Sequence, residues 1–150
     1  NPIYQGVLDG REVAGKPPLA TTRHAWECLD TEPAQTLPVS WLHAKRILAL
    51  AAIGNPAPFL AAAHDAIGAE PAQAITLRDH DPYAPATVER ILAAAAGLDA
   101  VLTTDKDWSK LRHIDQARWP CPVLRPRLGL AFDAGQEELR RLVLSVARPT

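Results

Sequence analysis

At 150 residues, 47% of them apolar, the chain fits one domain with a core of its own. Sixteen basic residues against seventeen acidic ones leave a formal charge of −1, which gives nucleic acid no electrostatic footprint to follow. The longest apolar runs fall well short of the ~20 residues a membrane span needs, and Asn1-Pro2-Ile3-Tyr4 does not open a secretory signal.

Cys28 and Cys121 belong to no C-x-x-C and are expected to be reduced thiols in a cytoplasmic protein. Proline occurs 14 times, concentrated in the first third and between Trp119 and Pro126, where irregular structure is expected. Methionine is absent, and a chain without an initiator reads as a segment of a longer polypeptide.

Residues 1–45 read as a β-hairpin linker and a Pro-rich loop. Tyr4 to Leu8 and Arg11 to Ala14 flank Asp9-Gly10, a two-residue hairpin turn. Thr22 to Asp30 carries a weak signal for a short helix between proline clusters. Residues 46–150 read as an α/β domain. Ile47 to Ile53 is a continuous apolar run ended by Gly54-Asn55, the pattern of a buried parallel strand.

Pro56 and Pro58 suit a first helical turn, Phe59, Leu60, Ala63 and Ile67 share a face, and Gly68 ends the helix. Ala74 to Leu77 gives a second strand, and Pro85 opens a helix with Val88, Ile91, Leu92 and Ala95 on one face, stopped by Gly97. Ala100 to Thr103 gives a third strand and Lys106 to Leu111 a short helix. Cys121 to Leu124 and Leu128 to Phe132 read as later extended pieces. A last helix carries Leu139, Leu142, Val143 and Val146, with Glu137 and Glu138 where the helix dipole favours them. Alternating strands and helices predict a three-layer α/β sandwich with a mainly parallel sheet.

In such sheets ligands bind beyond the carboxyl ends of the strands. Three polar clusters fall at those ends: Gly54-Asn55, Asp79-His80-Asp81, and Thr103-Thr104-Asp105-Lys106-Asp107. Asp79 and Asp81 have an ordinary reading as turn residues before Pro82, and Asp105 as the cap of the helix from Lys106. His80 between two carboxylates is a candidate for proton transfer near neutral pH. Lys106 is a candidate to steady a phosphate, and Gly54-Asn55 lead into a helix N-terminus, an anion-favouring position. Metal binding is not expected, since no distant His or Cys pair completes a ligand set. Gly10 to Lys16 matches G-x-x-x-x-G-K, but Pro17 replaces the hydroxyl residue and Pro17-Pro18 cannot start the required helix; the match reads as chance.

Ala51-Ala52-Ile53-Gly54-Asn55-Pro56 with Phe59, then Asp79-His80, then Leu102-Thr103-Thr104-Asp105-Lys106-Asp107 with Lys110, resemble the C-terminal half of the tetraacyldisaccharide 4′-kinase family. Trp119-Pro120-Cys121-Pro122-Val123 resembles the stretch before that family's last strand. The resemblance covers Arg46 to Phe132. It implies a P-loop-kinase-like C-terminal domain of a lipid kinase that moves the ATP γ-phosphate to the 4′-hydroxyl of a lipid A precursor. It further implies that His80, with Asp79, partners a catalytic aspartate in the other half. Gly54, Asn55, Thr104, Asp105 and Lys106 would line the cleft.

ATP and Mg²⁺ would be bound mainly by an N-terminal P-loop domain of the same polypeptide, with no cofactor on this segment alone. That enzyme would work in the cytoplasm at the inner face of the inner membrane. Asp105 stands where the family usually has Glu, Ala52 where it has Gly, and Asp81 where His, Tyr or Gln is frequent. A rival reading is a stand-alone α/β binding module that kept the scaffold without the activity.

Overall fold

A computed structural model describes residues 19–32 and 34–146; the expected hairpin at residues 4–14 lies outside them. Six strands form one sheet in the order β2-β1-β6-β5-β3-β4. They are β1 (Thr21–Thr31), β2 (Gln35–Leu37), β3 (Ile47–Ala51), β4 (Gln73–Thr76), β5 (Ala100–Thr103) and β6 (Val123–Ala134). Parallel pairing joins β3 to β4, β3 to β5 and β5 to β6, whereas β1 and β2 pair antiparallel. The helices are α1 (Ala57–Ile67), α2 (Pro85–Ala95), α3 (Asp105–Leu111) and α4 (Gln136–Val146).

The centre of the sheet shows why the run from Ile47 reads as buried. Every residue of β3 and β5 is fully buried. A strand sends alternate side chains to opposite faces. Leu48, Leu50 and Ala52 accordingly join Val88, Ile91, Trp108 and Leu111 in one layer. Ile47, Ala49 and Ala51 join Phe59, Ala63 and Ile67 in the other. Helices α2 and α3 cover one face and α1 the other, giving the three layers expected. Each fully buried Leu or Ile contributes roughly 1.5–3 kcal/mol. Gly68 ends α1 in the left-handed region at φ 81°, its N–H bonded to the His64 carbonyl at 2.8 Å. There a Cβ would be strained and would also meet the His43 ring at 3.1 Å.

One expectation is corrected and another is extended. Thr22 to Asp30 is not a helix but most of strand β1, with Leu29 and Thr31 buried two apart. The pieces around Cys121 to Leu124 and Leu128 to Phe132 are one strand, β6, which runs through a buried Pro126. A proline lacks only its own N–H, so a strand passes through it where no ladder bond is needed from that residue.

The described residues form two compact units. One is residues 26–128, which hold both apolar layers and all the polar clusters discussed below. The other comprises residues 19–25 and 129–146. In it Arg23 pairs with Asp133, and α4 leaves Leu142, Val143 and Leu144 more than half exposed.

Candidate functional site at the carboxyl edge of the sheet

Parallel strands β4, β3 and β5 end side by side, so the turns that follow them are neighbours. After β4, Asp79 to Tyr83 folds back as a tight turn. Asp81 accepts from the Tyr83 N–H at 2.8 Å, and Lys110 donates to the Asp81 carbonyl at 2.8 Å. His80 and Tyr83 both sit in the left-handed region, at φ 59° and 55°. For residues with a Cβ that conformation costs roughly 1–2 kcal/mol each. Strain of this kind persists only where surroundings impose it, and it gathers at functional sites.

Lys106, in the first turn of α3, reaches back over this turn. Its ammonium donates to Asp79 Oδ1 at 2.8 Å and lies 3.5 Å from His80 Nε2. Asp79 Oδ2 is 3.8 Å from the same ring nitrogen. The imidazole therefore sits between a carboxylate and an ammonium, and its side chain is 73% exposed. Hydrogen bonding from Lys106, the largest influence, with help from the His80 ring, holds the Asp79 carboxyl below the usual carboxylate range. Gly54 completes the group, because a Cβ added there would stand 3.4 Å from Asp79 Oδ2. Gly54, Asp79, His80 and Lys106 thus share one rim. Asn55 is exposed close by in sequence, with no side-chain partner among the described residues.

The turn after β5 is built differently. Thr104, not Asp105, caps α3, its hydroxyl accepting from the Asp107 N–H at 3.2 Å. Asp105 is the exposed first residue of the helix, 3.9 Å from Arg125 Nε. That guanidinium also lies 3.5 Å from Glu32 and stacks over the Trp108 ring. Asp107, left out of the expected site set, is fully buried. Its Oδ2 accepts from the Thr104 hydroxyl at 2.7 Å and from the Ala52 N–H at 3.1 Å. The one signal for it in sequence is Thr104-x-x-Asp107, a capping-box spacing with Asp in the Glu position.

A surface cavity of about 400 Å³ is bounded by Pro82, Tyr83, Val88, Lys110, Leu111 and Ile114 among others. None of Gly54, Asn55, Asp79, His80, Thr104, Asp105 or Lys106 lines it. Among the described residues no group of three or more His, Cys, Asp or Glu is arranged to hold a metal. The acids nearest His80 are already engaged, Asp79 by Lys106 and Asp81 by the Tyr83 backbone. They do not fit a Mg²⁺ site.

The family profile described as tetraacyldisaccharide-1-P 4′-kinase matches residues 8–147. The chain belongs to that family. Tetraacyldisaccharide 4′-kinase of Bordetella petrii is 38% identical over 106 residues, covering 68% of this chain and 28% of the relative. The enzyme of Geobacter metallireducens is 35% identical over 99 residues, 65% of this chain and 26% of the relative. That of Rhodopseudomonas palustris is 39% identical over 90 residues, 57% of this chain and 24% of the relative. The chain therefore spans about a quarter of the curated kinases it matches. Among solved structures, LpxK of Aquifex aeolicus in complex with ATP superposes with a TM-score of 0.56 at 21% identity, over 89% of this chain and 38% of that one. That likeness supports the α/β kinase-type fold. Among the described residues, no helix is long and apolar enough to cross a membrane.

Proposed function

We propose that this chain is the C-terminal domain of a kinase that transfers the ATP γ-phosphate to the 4′-hydroxyl of tetraacyldisaccharide 1-phosphate. The supporting observation is the meeting of Asp79, His80 and Lys106 on one strained, exposed rim. The relatives that this chain matches over about a quarter of their length are named for that reaction. Phosphoryl transfer asks a protein mainly for positioning and charge stabilisation. In this reading a P-loop portion of the same polypeptide binds ATP and Mg²⁺, and the present domain forms the opposite wall of the cleft. The enzyme would work on the cytoplasmic side, at the inner face of the inner membrane where its lipid lies.

His80 would orient a base on the other wall as the sugar hydroxyl loses its proton. Asp79 fixes Lys106, so a positive charge stands beside the imidazole and can meet a phosphate oxygen. Gly54 lets the first turn approach Asp79 without a side chain between them. This segment alone would transfer no phosphate.

The test is a transfer assay with labelled ATP and tetraacyldisaccharide 1-phosphate, run on the intact polypeptide and on residues 1–150. Label in the lipid with the intact polypeptide alone is the expected outcome. Lipid binding without transfer by the intact polypeptide would instead favour a binding module.

A further inference from the structure

Asp107 has an environment unlike that of the other acids. Among the described residues it is the only fully buried charged side chain. Hydrogen bonds reach it from two turns at once. Oδ2 holds the Ala52 N–H, two residues before Gly54, and the Thr104 hydroxyl, two residues before Lys106. Tyr83, which closes the turn that begins at Asp79, is near enough to feel the Asp107 charge. The Tyr83 phenol is pushed far above its usual range, first by burial and then by the Asp107 charge. Neither the Tyr83 hydroxyl nor Asp107 Oδ1 makes a hydrogen bond among the described residues. An acid that served only the α3 terminus would not need the Ala52 N–H, which lies on the turn after β3.

From this convergence we infer that Asp107 is a positioning residue for phosphoryl transfer, one buried carboxylate that sets the mutual placement of the turns carrying Gly54, His80 and Lys106. The inference rests on the kinase reading above. Asp107 itself touches no substrate. A shift of Ala52 would move Gly54 against Asp79, where a single added carbon would already be in contact at 3.4 Å. A shift of Thr104 would move Lys106, whose 2.8 Å bond to Asp79 places the ammonium beside His80. The rim thus depends on a group beneath it that substrate never meets.

The experiment is a double-mutant cycle on the intact kinase, with rates expressed per folded molecule. Asp107→Asn keeps the shape and one acceptor for the Ala52 N–H but removes the charge. It should lower kcat about 10-fold or more with the KM for ATP nearly unchanged. In that background His80→Ala should cost much less than it does in the parent enzyme, because the two act as a unit. Unchanged kcat, or two effects that multiply independently, would overturn the inference. Should Asp107→Asn not fold, Thr104→Val removes the hydroxyl bound to Asp107 and should show the same coupling at smaller size.

Amide hydrogen exchange on the same variants separates this inference from the kinase reading. Faster exchange at both Ala52–Gly54 and Asp79–Tyr83 supports the shared anchor even if the parent enzyme transfers no phosphate. Faster exchange at α3 alone reduces Asp107 to a helix cap.

Discussion

Two triplets of the same design, Asp79-His80-Asp81 and Asp105-Lys106-Asp107, follow the strands on either side of β3 and come to opposite ends. In the first, the backbone is strained and no carboxylate is fully buried, with His80 in the left-handed region and largely exposed. In the second, the backbone is a regular helical turn and one carboxylate is fully buried. The two central residues, His80 and Lys106, nevertheless meet at 3.5 Å. An Asp-x-Asp triplet is thus a statement about local polarity only. What each acid does is decided by which backbone N–H groups the fold leaves unpaired nearby. Asp81 satisfies one in its own turn, whereas Asp107 satisfies one on a different strand end.

Exchanging acids for alanine should widen this contrast most. Asp107→Ala strands the buried Ala52 N–H and takes the acceptor from the half-buried Thr104 hydroxyl, and a buried group left without its partner costs about 1–3 kcal/mol. Urea unfolding should show a loss in that range or above. Asp79→Ala breaks exposed, solvent-screened ionic contacts and should cost clearly less by the same method. Equal losses would erase the distinction between the triplets.

Backbone strain offers the next largest effect. His80→Gly should be more stable than His80→Ala by about 1 kcal/mol, since glycine enters the left-handed region without a Cβ penalty. Both variants lose the imidazole, so the pair isolates strain from chemistry, and matched melting curves would contradict the strained turn. Asp105→Glu should be smaller still. One more methylene lets the carboxylate close the 3.9 Å gap to Arg125 Nε, a buried donor without a hydrogen bond among the described residues. A gain of a few tenths of a kcal/mol is expected for a pair with one exposed partner.

The smallest effect on stability is that of pH on the Asp79–Lys106 pair. Because folding lowers the Asp79 pKa, its contribution is present above the unfolded-state value and disappears as pH falls through the lower, folded one. The pair is exposed and screened, so the sensitive readout is an NMR titration of the Asp79 carboxyl. Lys106→Ala should return that titration toward the usual carboxylate range; an unmoved midpoint would mean Lys106 is not its main partner.

Much of the fold was legible because it depends on local pattern. The run from Ile47 is apolar on both faces, so it reads as a central strand whatever packs on it. Gly68 and Gly97 ended their helices in the left-handed conformation that glycine permits. Strand β1 was not legible, because Trp26 and Leu29 stand three apart, as on a helix, and its exposed positions are mixed. Nor was the length of β6, since Pro126 interrupts a pattern that the neighbouring strands restore.

At the rim, the gathering of His80 and Lys106 followed from parallel strands ending together. The left-handed backbone at His80 did not, for no glycine marks it. The burial of Asp107 was invisible for a different reason. It depends on an N–H of Ala52, 55 residues away, that comes within reach only when β3 and β5 lie side by side.

The most direct test of the whole account is steady-state kinetics of His80→Ala in the intact kinase, with ATP and tetraacyldisaccharide 1-phosphate as substrates. The account predicts that kcat falls by about 10²-fold or more while the KM for ATP barely changes. A variant that turns over at the parent rate would contradict it.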